Sequence, residues 1–227
     1  MFGLVDSKVQ EGEYFLERIL KADMFFFGVQ CDAVAFTAAT RSITFAMQSS
    51  LKGIPEFDAW YKEKQEQMRA DSLARFFNDF RRVSQYIGAN AVIGGSSGND
   101  KFLFYFGPLP DLKEVPELDV ASACTAYFKS TLELVYECYI TFPELINGQW
   151  RYTRQHFASI GKTIEDAEEE LGFPRGWSEV SGYDEETRWF YLRKQADGCN
   201  VQEQFMEWLG KRVPHPDDEE QKTEQLL

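Results

Sequence analysis

Between positions 71 and 88, in DSLARFFNDFRRVSQYIG, the apolar residues Leu73, Phe76, Phe77, Phe80, Val83 and Ile87 recur at three- and four-residue steps. That spacing predicts one apolar stripe of an α-helix. Asp71 is a good N-cap for it and Gly88 a natural stop. Two polar lines flank the stripe. Arg75, Asp79, Arg82 and Tyr86 form one, with Asp79 spaced to pair with both Arg75 and Arg82. Asn78, Arg81 and Gln85 form the other, which holds no acid to neutralise Arg81. An arginine without a carboxylate, between two amides, suits an anion such as phosphate; the plainer expectation is a solvated arginine lying over a core helix.

The same periodicity places helices over 9–27 (Phe15, Leu16, Ile19, Leu20, Phe26, Phe27) and over 31–50, whose Ala, Ser and Thr residues permit close helix packing. Arg41 interrupts the second of these and is expected to be a surface residue or the partner of Asp32 or Glu17. Pro55 opens a third helix over 56–70, with Phe57, Trp60 and Tyr61 inward. Residues 89–98, ANAVIGGSSG, read as a glycine- and serine-rich loop. They lack the G-K-[ST] of a phosphate loop. Residues 101–107, KFLFYFG, are the best strand candidate, one half of a hairpin with 91–93. Asp119 opens a long, nearly uncharged helix to about 142.

After Pro143 the chain turns aromatic and basic (Trp150, Arg151, Tyr152, Arg154, His156, Phe157). Thr163 and Asp166 then form a capping box for an acidic helix, and a last helix falls near 201–209. The expected organisation is a helical bundle over 1–143 with a loop insertion at 89–118, a helical C-terminal extension packed on it over 144–213, and an acidic disordered tail over 214–227.

Charge and composition narrow the function. The 227 residues carry a net charge of −13, which speaks against nucleic-acid binding by charge alone and against docking on an anionic membrane. It leaves room for a small basic site. Twenty Phe, ten Tyr and five Trp predict a core built of ring packing. Cys31, Cys124, Cys138 and Cys199 form no C-x-x-C pair, and reduced thiols in a cytoplasmic protein are expected. The N-terminus lacks a basic region followed by a long apolar run, so no signal peptide is expected. The acids at 165–170 form a solvated helix face more often than a cation site, and no histidine stands at ligand spacing. No metal and no cofactor are expected.

The helix order, with FFNDFRRVSQYIG on the third long helix, resembles the HEPN superfamily of small up-and-down helical bundles, over roughly residues 9–142. Members typically carry an Arg, four to six variable residues, then a His, and commonly dimerise so that two such motifs line one cleft. Arg81 matches the arginine, but Tyr86 stands where histidine is expected. A literal Arg-x4-His occurs later, from Arg151 to His156.

The resemblance implies a mainly α, HEPN-like bundle with a short β or irregular insertion, and a homodimer; because 71–88 and 119–142 are more apolar than a free surface helix needs to be, part of one of them is the expected interface. It also implies one of two functions. The first is a metal-independent endoribonuclease of toxin–antitoxin or phage-defence type. There Arg81 would stabilise phosphate charge, Tyr86 or His156 would move the proton, and Asn78, Arg82, Gln85, Arg151 and Arg154 would hold RNA. The second is a catalytically inactive bundle that binds RNA or an antitoxin-like protein partner. The absent histidine favours the second; an unpaired Arg81 suits both.

Overall fold

The computed structural model describes residues 2–98 and 101–218. The chain is a mainly helical bundle protein that divides into two compact units, Met1–Leu134 and Val135–Leu227. The division falls within one long helix, α5 (Val120–Thr141), nine residues before the boundary expected at 143.

The first unit holds α1 (Gly3–Leu20), α2 (Phe26–Leu51), α3 (Pro55–Ala70), α4 (Ser72–Arg82) and the start of α5. The break between α1 and α2 falls at 21–25, inside the stretch 9–27 expected to form one helix. Phe26 and Phe27 therefore begin α2 instead of ending α1. Pro55 occupies the first turn of α3, where its missing N–H costs nothing. The Asp71 carboxylate caps α4 by accepting from the Ala74 amide at 2.9 Å. Beyond Arg82 the helix widens into a π-turn, Val83–Ile87, closed by Gly88 at φ +80°, a left-handed conformation that glycine adopts without a Cβ clash.

That widening shifts the helical phase. Phe76, Phe77, Phe80 and Val83 are buried as the stripe predicts, but Ile87 is turned outward, 54% exposed. The core is ring packing: Phe77 stacks on Tyr127 at 4.4 Å between centroids, and Phe106 meets Phe76 at 4.8 Å and Phe80 at 5.4 Å. The apolar faces of α4 and of α5 over 120–134 are thus consumed within their own unit.

The segment expected as a loop at 89–98 is mostly strand. β1 (Val92–Gly98) pairs antiparallel with β2 (Lys101–Phe106), with Val92 opposite Phe106 and a bulge between Ile93 and Gly95. A Cβ on Gly95 would stand 1.3 Å from the Leu103 carbonyl oxygen. Glycine here permits close strand approach instead of breaking the structure. That is why turn chemistry misreads the segment.

The second unit contains the end of α5, α6 (Pro143–Ile146), α7 (Gly148–Arg151), α8 (Arg154–Ser159), α9 (Ile164–Glu170), α10 (Glu185–Arg193) and α11 (Gln202–Gln204), which runs on as a second π-turn, Phe205–Leu209. Its core gathers Tyr152, Phe157, Ile164, Trp189 and Leu192. The capping box of Thr163 and Asp166 is present. The expected tail is partly held. The Pro214 carbonyl accepts from the Trp150 indole at 2.9 Å, and Asp217 pairs with the buried Arg193. The rest of that segment, 219–227, lies outside the described residues.

Candidate functional site: an arginine-rich face of the first unit

Arg41 on α2 and Arg81 on α4 both lie against the ring of Phe45. The guanidinium carbons are 4.5 Å and 5.6 Å from its centroid. Phe45 is 46% exposed, although it sits on a helix whose neighbouring residues Thr44, Ala46 and Met47 are buried. Arg41 Nε donates to Asn78 Oδ1 at 3.3 Å, and a second Arg41 nitrogen reaches the Thr44 hydroxyl. Arg81 Nε is buried without a hydrogen-bond partner. Among the described residues neither arginine has a carboxylate partner.

Arg41 therefore does not pair with Asp32 or Glu17, as its position in α2 suggested. Asp32 pairs with Arg18 at 2.8 Å and Glu17 with Lys21 at 2.5 Å, which leaves Arg41 for the aromatic face. Asp79 lies 3.8 Å from Arg82 and does not take Arg75. Arg75 instead donates to the carbonyls of Arg69 and Ala70, both at 2.9 Å, satisfying the C-terminal end of α3. Arg82 also donates to the Asp111 carbonyl at 3.1 Å.

Beside the Phe45 face, a cavity of about 200 Å³ is lined by Arg41, Arg69, Arg75, Asn78, Gln65, Met68, Ala74, Tyr61 and Tyr127. None of these is acidic. Burial pushes the Tyr127 hydroxyl up to about 12 despite the pull of Arg41, so it stays a neutral donor near neutral pH. Burial raises the Tyr61 hydroxyl as well.

The other residues expected at a site are distributed differently. Gln85 and Tyr86 are exposed on the π-turn, Tyr86 by 76%, and Tyr86 has no hydrogen-bond partner among the described residues. With no partner placed to take up its proton, Tyr86 is not set up as a general base. His156, Arg151 and Arg154 belong to the second unit and are engaged there. His156 Nδ1 is 2.9 Å from Glu144, Arg151 pairs with Glu170 at 2.6 Å, and Arg154 bonds Glu186 at 2.9 Å and Glu185 at 3.4 Å. These arginines carry their own counterions, so they are weak candidates for holding phosphate.

The acids at 165–170 are likewise occupied. Glu165 pairs with Arg188, while Asp166 and Glu169 pair with Arg175. Glu170 pairs with Arg151 and Lys162. Glu168 is fully buried and accepts from Ser178 and the Gly176 amide. Burial pushes the Glu168 carboxyl up, but those bonds together with Arg188 outweigh it and hold it below the usual range.

Sequence reasoning found Arg81 and Asn78 but missed Phe45, Arg69 and Arg41 as site residues. One signal was available: Arg41 and Phe45 stand four apart on one helix, the spacing at which a cation meets a ring. Nothing along the chain shows that α4 brings Arg81 to the same ring.

Compared with known proteins, residues 22–88 match a family profile described as Bacteriophage lambda protein ea47. The matched segment contains Phe45, Arg81 and all the cavity-lining residues except Tyr127. No curated protein and no solved structure matches the chain. Among the described residues, no helix is long and apolar enough to cross a membrane.

Proposed function

We propose that the first unit is a HEPN-like helical module that binds single-stranded RNA on the Arg41–Phe45–Arg81 face without cutting it, in the cytoplasm. The observation that carries this reading is the single exposed ring bracketed by two guanidiniums that have no carboxylate partner. An exposed aromatic offers a base a stacking surface, and adjacent arginines meet the phosphates on either side. The net charge of −13 does not oppose this locally. At physiological ionic strength charges beyond about 8 Å are largely screened, so the nearest arginines dominate the field at the ring. Further support comes from the helix order and Arg81, which fit the HEPN resemblance. Four free cysteines suit a reducing compartment.

Binding is favoured over cleavage because the motif histidine is replaced by an unpartnered Tyr86 and His156 is engaged by Glu144. The test is fluorescence anisotropy with a labelled single-stranded RNA. Phe45→Ala and Arg81→Ala should each weaken binding by roughly 5- to 100-fold, as expected for loss of a stacked base or a charge-assisted phosphate contact. Binding unchanged in both variants would remove the face from the proposal. RNA cleaved in EDTA, with loss of cleavage in Arg81→Ala, would convert it to the endoribonuclease reading. The homodimer implied by the resemblance is tested separately by light scattering, and a monomer would remove it without touching the RNA site.

A further inference from the structure

The cavity beside the Phe45 face is lined by three arginines, Arg41, Arg69 and Arg75, in a chain whose net charge is strongly negative. Like charges around one small volume repel, and elsewhere this protein pairs its arginines with acids, as at Arg18, Arg151, Arg154, Arg175 and Arg188. Here no lining residue is acidic. Arg75 is held in place by two carbonyls, which fix its guanidinium without neutralising it. The Arg69 side chain is exposed and has no hydrogen-bond or ion-pair partner among the described residues. Neutral donors complete the lining: the Asn78 and Gln65 amides and the Tyr127 hydroxyl. Met68 and the tyrosine rings form an apolar wall.

We propose that this cavity binds a terminal phosphomonoester, with Arg41, Arg69 and Arg75 as its counterions and the Tyr61–Met68–Tyr127 wall against the attached sugar or base. An internal phosphodiester carries one charge, whereas a terminal phosphomonoester carries close to two at neutral pH and presents three free oxygens. Three forked cations suit the latter. A volume of about 200 Å³ accepts a phosphate with part of a nucleoside and excludes a folded nucleic acid. The phosphate has two sources, the 5′ end of an RNA strand or a free nucleoside monophosphate. In the first case the inference rests on the RNA reading above, because Arg41 and Asn78 serve both the cavity and the Phe45 face.

The experiment measures binding to the full chain by calorimetry and anisotropy in four arms: AMP, adenosine, and one short RNA with a 5′-phosphate or a 5′-hydroxyl. AMP should bind and adenosine should not. The 5′-phosphorylated RNA should bind at least about tenfold more tightly than its hydroxyl twin. Arg69→Ala, a change at an exposed side chain, should erase that difference and weaken AMP while leaving the 5′-hydroxyl RNA unaffected.

Equal binding of the two RNAs together with no AMP binding would overturn the cavity, even if Arg81-dependent RNA binding remained. AMP binding lost in Arg69→Ala, with no RNA bound in either form, would support the cavity, assign it to free nucleotide and overturn the RNA reading. A phosphate preference that survives both Arg69→Ala and Arg41→Ala would overturn the assignment of these residues.

Discussion

The guanidinium carbon of Arg41 lies 4.5 Å from the centre of the Phe45 ring, one helical turn further along α2. Arg81 reaches the same ring from α4 at 5.6 Å. Each such contact at an exposed site stabilises by about 0.5–1 kcal/mol, too little to account for placing two cations side by side in the fold. A phosphate between them would relieve that repulsion.

If phosphates meet these arginines, affinity for single-stranded RNA should fall with salt, with a log–log slope near −0.7 for each phosphate neutralised. Two to three contacts give roughly −1.4 to −2. Arg81→Ala should make the slope shallower by about 0.7, and Phe45→Ala should lower affinity with the slope kept. A slope identical in wild type and Arg81→Ala would show that Arg81 neutralises no phosphate.

Phe80 and Phe45 should respond unequally to truncation. Phe80 is fully buried against Phe76 and Phe106, so Phe80→Ala opens a cavity and should cost about 3–5 kcal/mol in chemical denaturation. Phe45→Ala should cost less, about 1–2 kcal/mol, because nearly half its surface is already in water and it gives up mainly its two cation–π contacts. Comparable losses would mean that Phe45 is a packing residue and would weaken its role at the site.

Gly95→Ala should disrupt the hairpin. The added Cβ would stand 1.3 Å from the Leu103 carbonyl oxygen, which forces the two strands apart. Phe106 on β2 packs on Phe76 and Phe80, so a lower melting temperature should accompany the change. Gly94→Ala, with no atom within 4 Å of the new Cβ, is the control and should be tolerated far better. Equal behaviour of the two variants would contradict the strand register.

The second unit should lose stability in acid through Glu168. Its carboxyl titrates below the usual range when folded, so the folded state binds fewer protons. The contribution is therefore complete above the unfolded value of about 4.3 and is lost as pH falls through the lower folded value. Glu168→Gln should cost roughly 1.5–3 kcal/mol near neutral pH and flatten the acid side of the stability profile. Tryptophan fluorescence reads this unit selectively, since Trp150, Trp177, Trp189 and Trp208 lie in it and Trp60 alone does not. An unaltered acid profile in the variant would mean that other carboxylates set it.

Much of the fold was written in local signals. The stripe from Phe76 to Val83, the Asp71 cap, Pro55 at a first turn and the Thr163–Asp166 capping box all depend on residues within a turn or two of each other, and all appear as spaced. Ile87 left the stripe because a π-turn adds a residue to the helical repeat, and no apolar pattern announces that. The glycines of 92–98 suggested a loop because local chemistry cannot show that a facing strand needs their missing side chains.

The candidate site divides in the same way. An arginine without an acid at helical spacing was legible at Arg81, since pairing along a helix is a matter of three- and four-residue steps. Whether an arginine is free is decided across the fold. Asp32 was taken by Arg18, not Arg41, and Glu170, Glu185 and Glu186 took Arg151 and Arg154. Only tertiary packing set Arg41 and Arg81 on one ring and turned Arg69 and Arg75 toward one cavity. The sequence by itself determined which segments are helical and where the charges stand along them. The packing of α2, α3 and α4 decided which of those charges were left without partners, because Coulomb pairing depends on distance through space and not on distance along the chain.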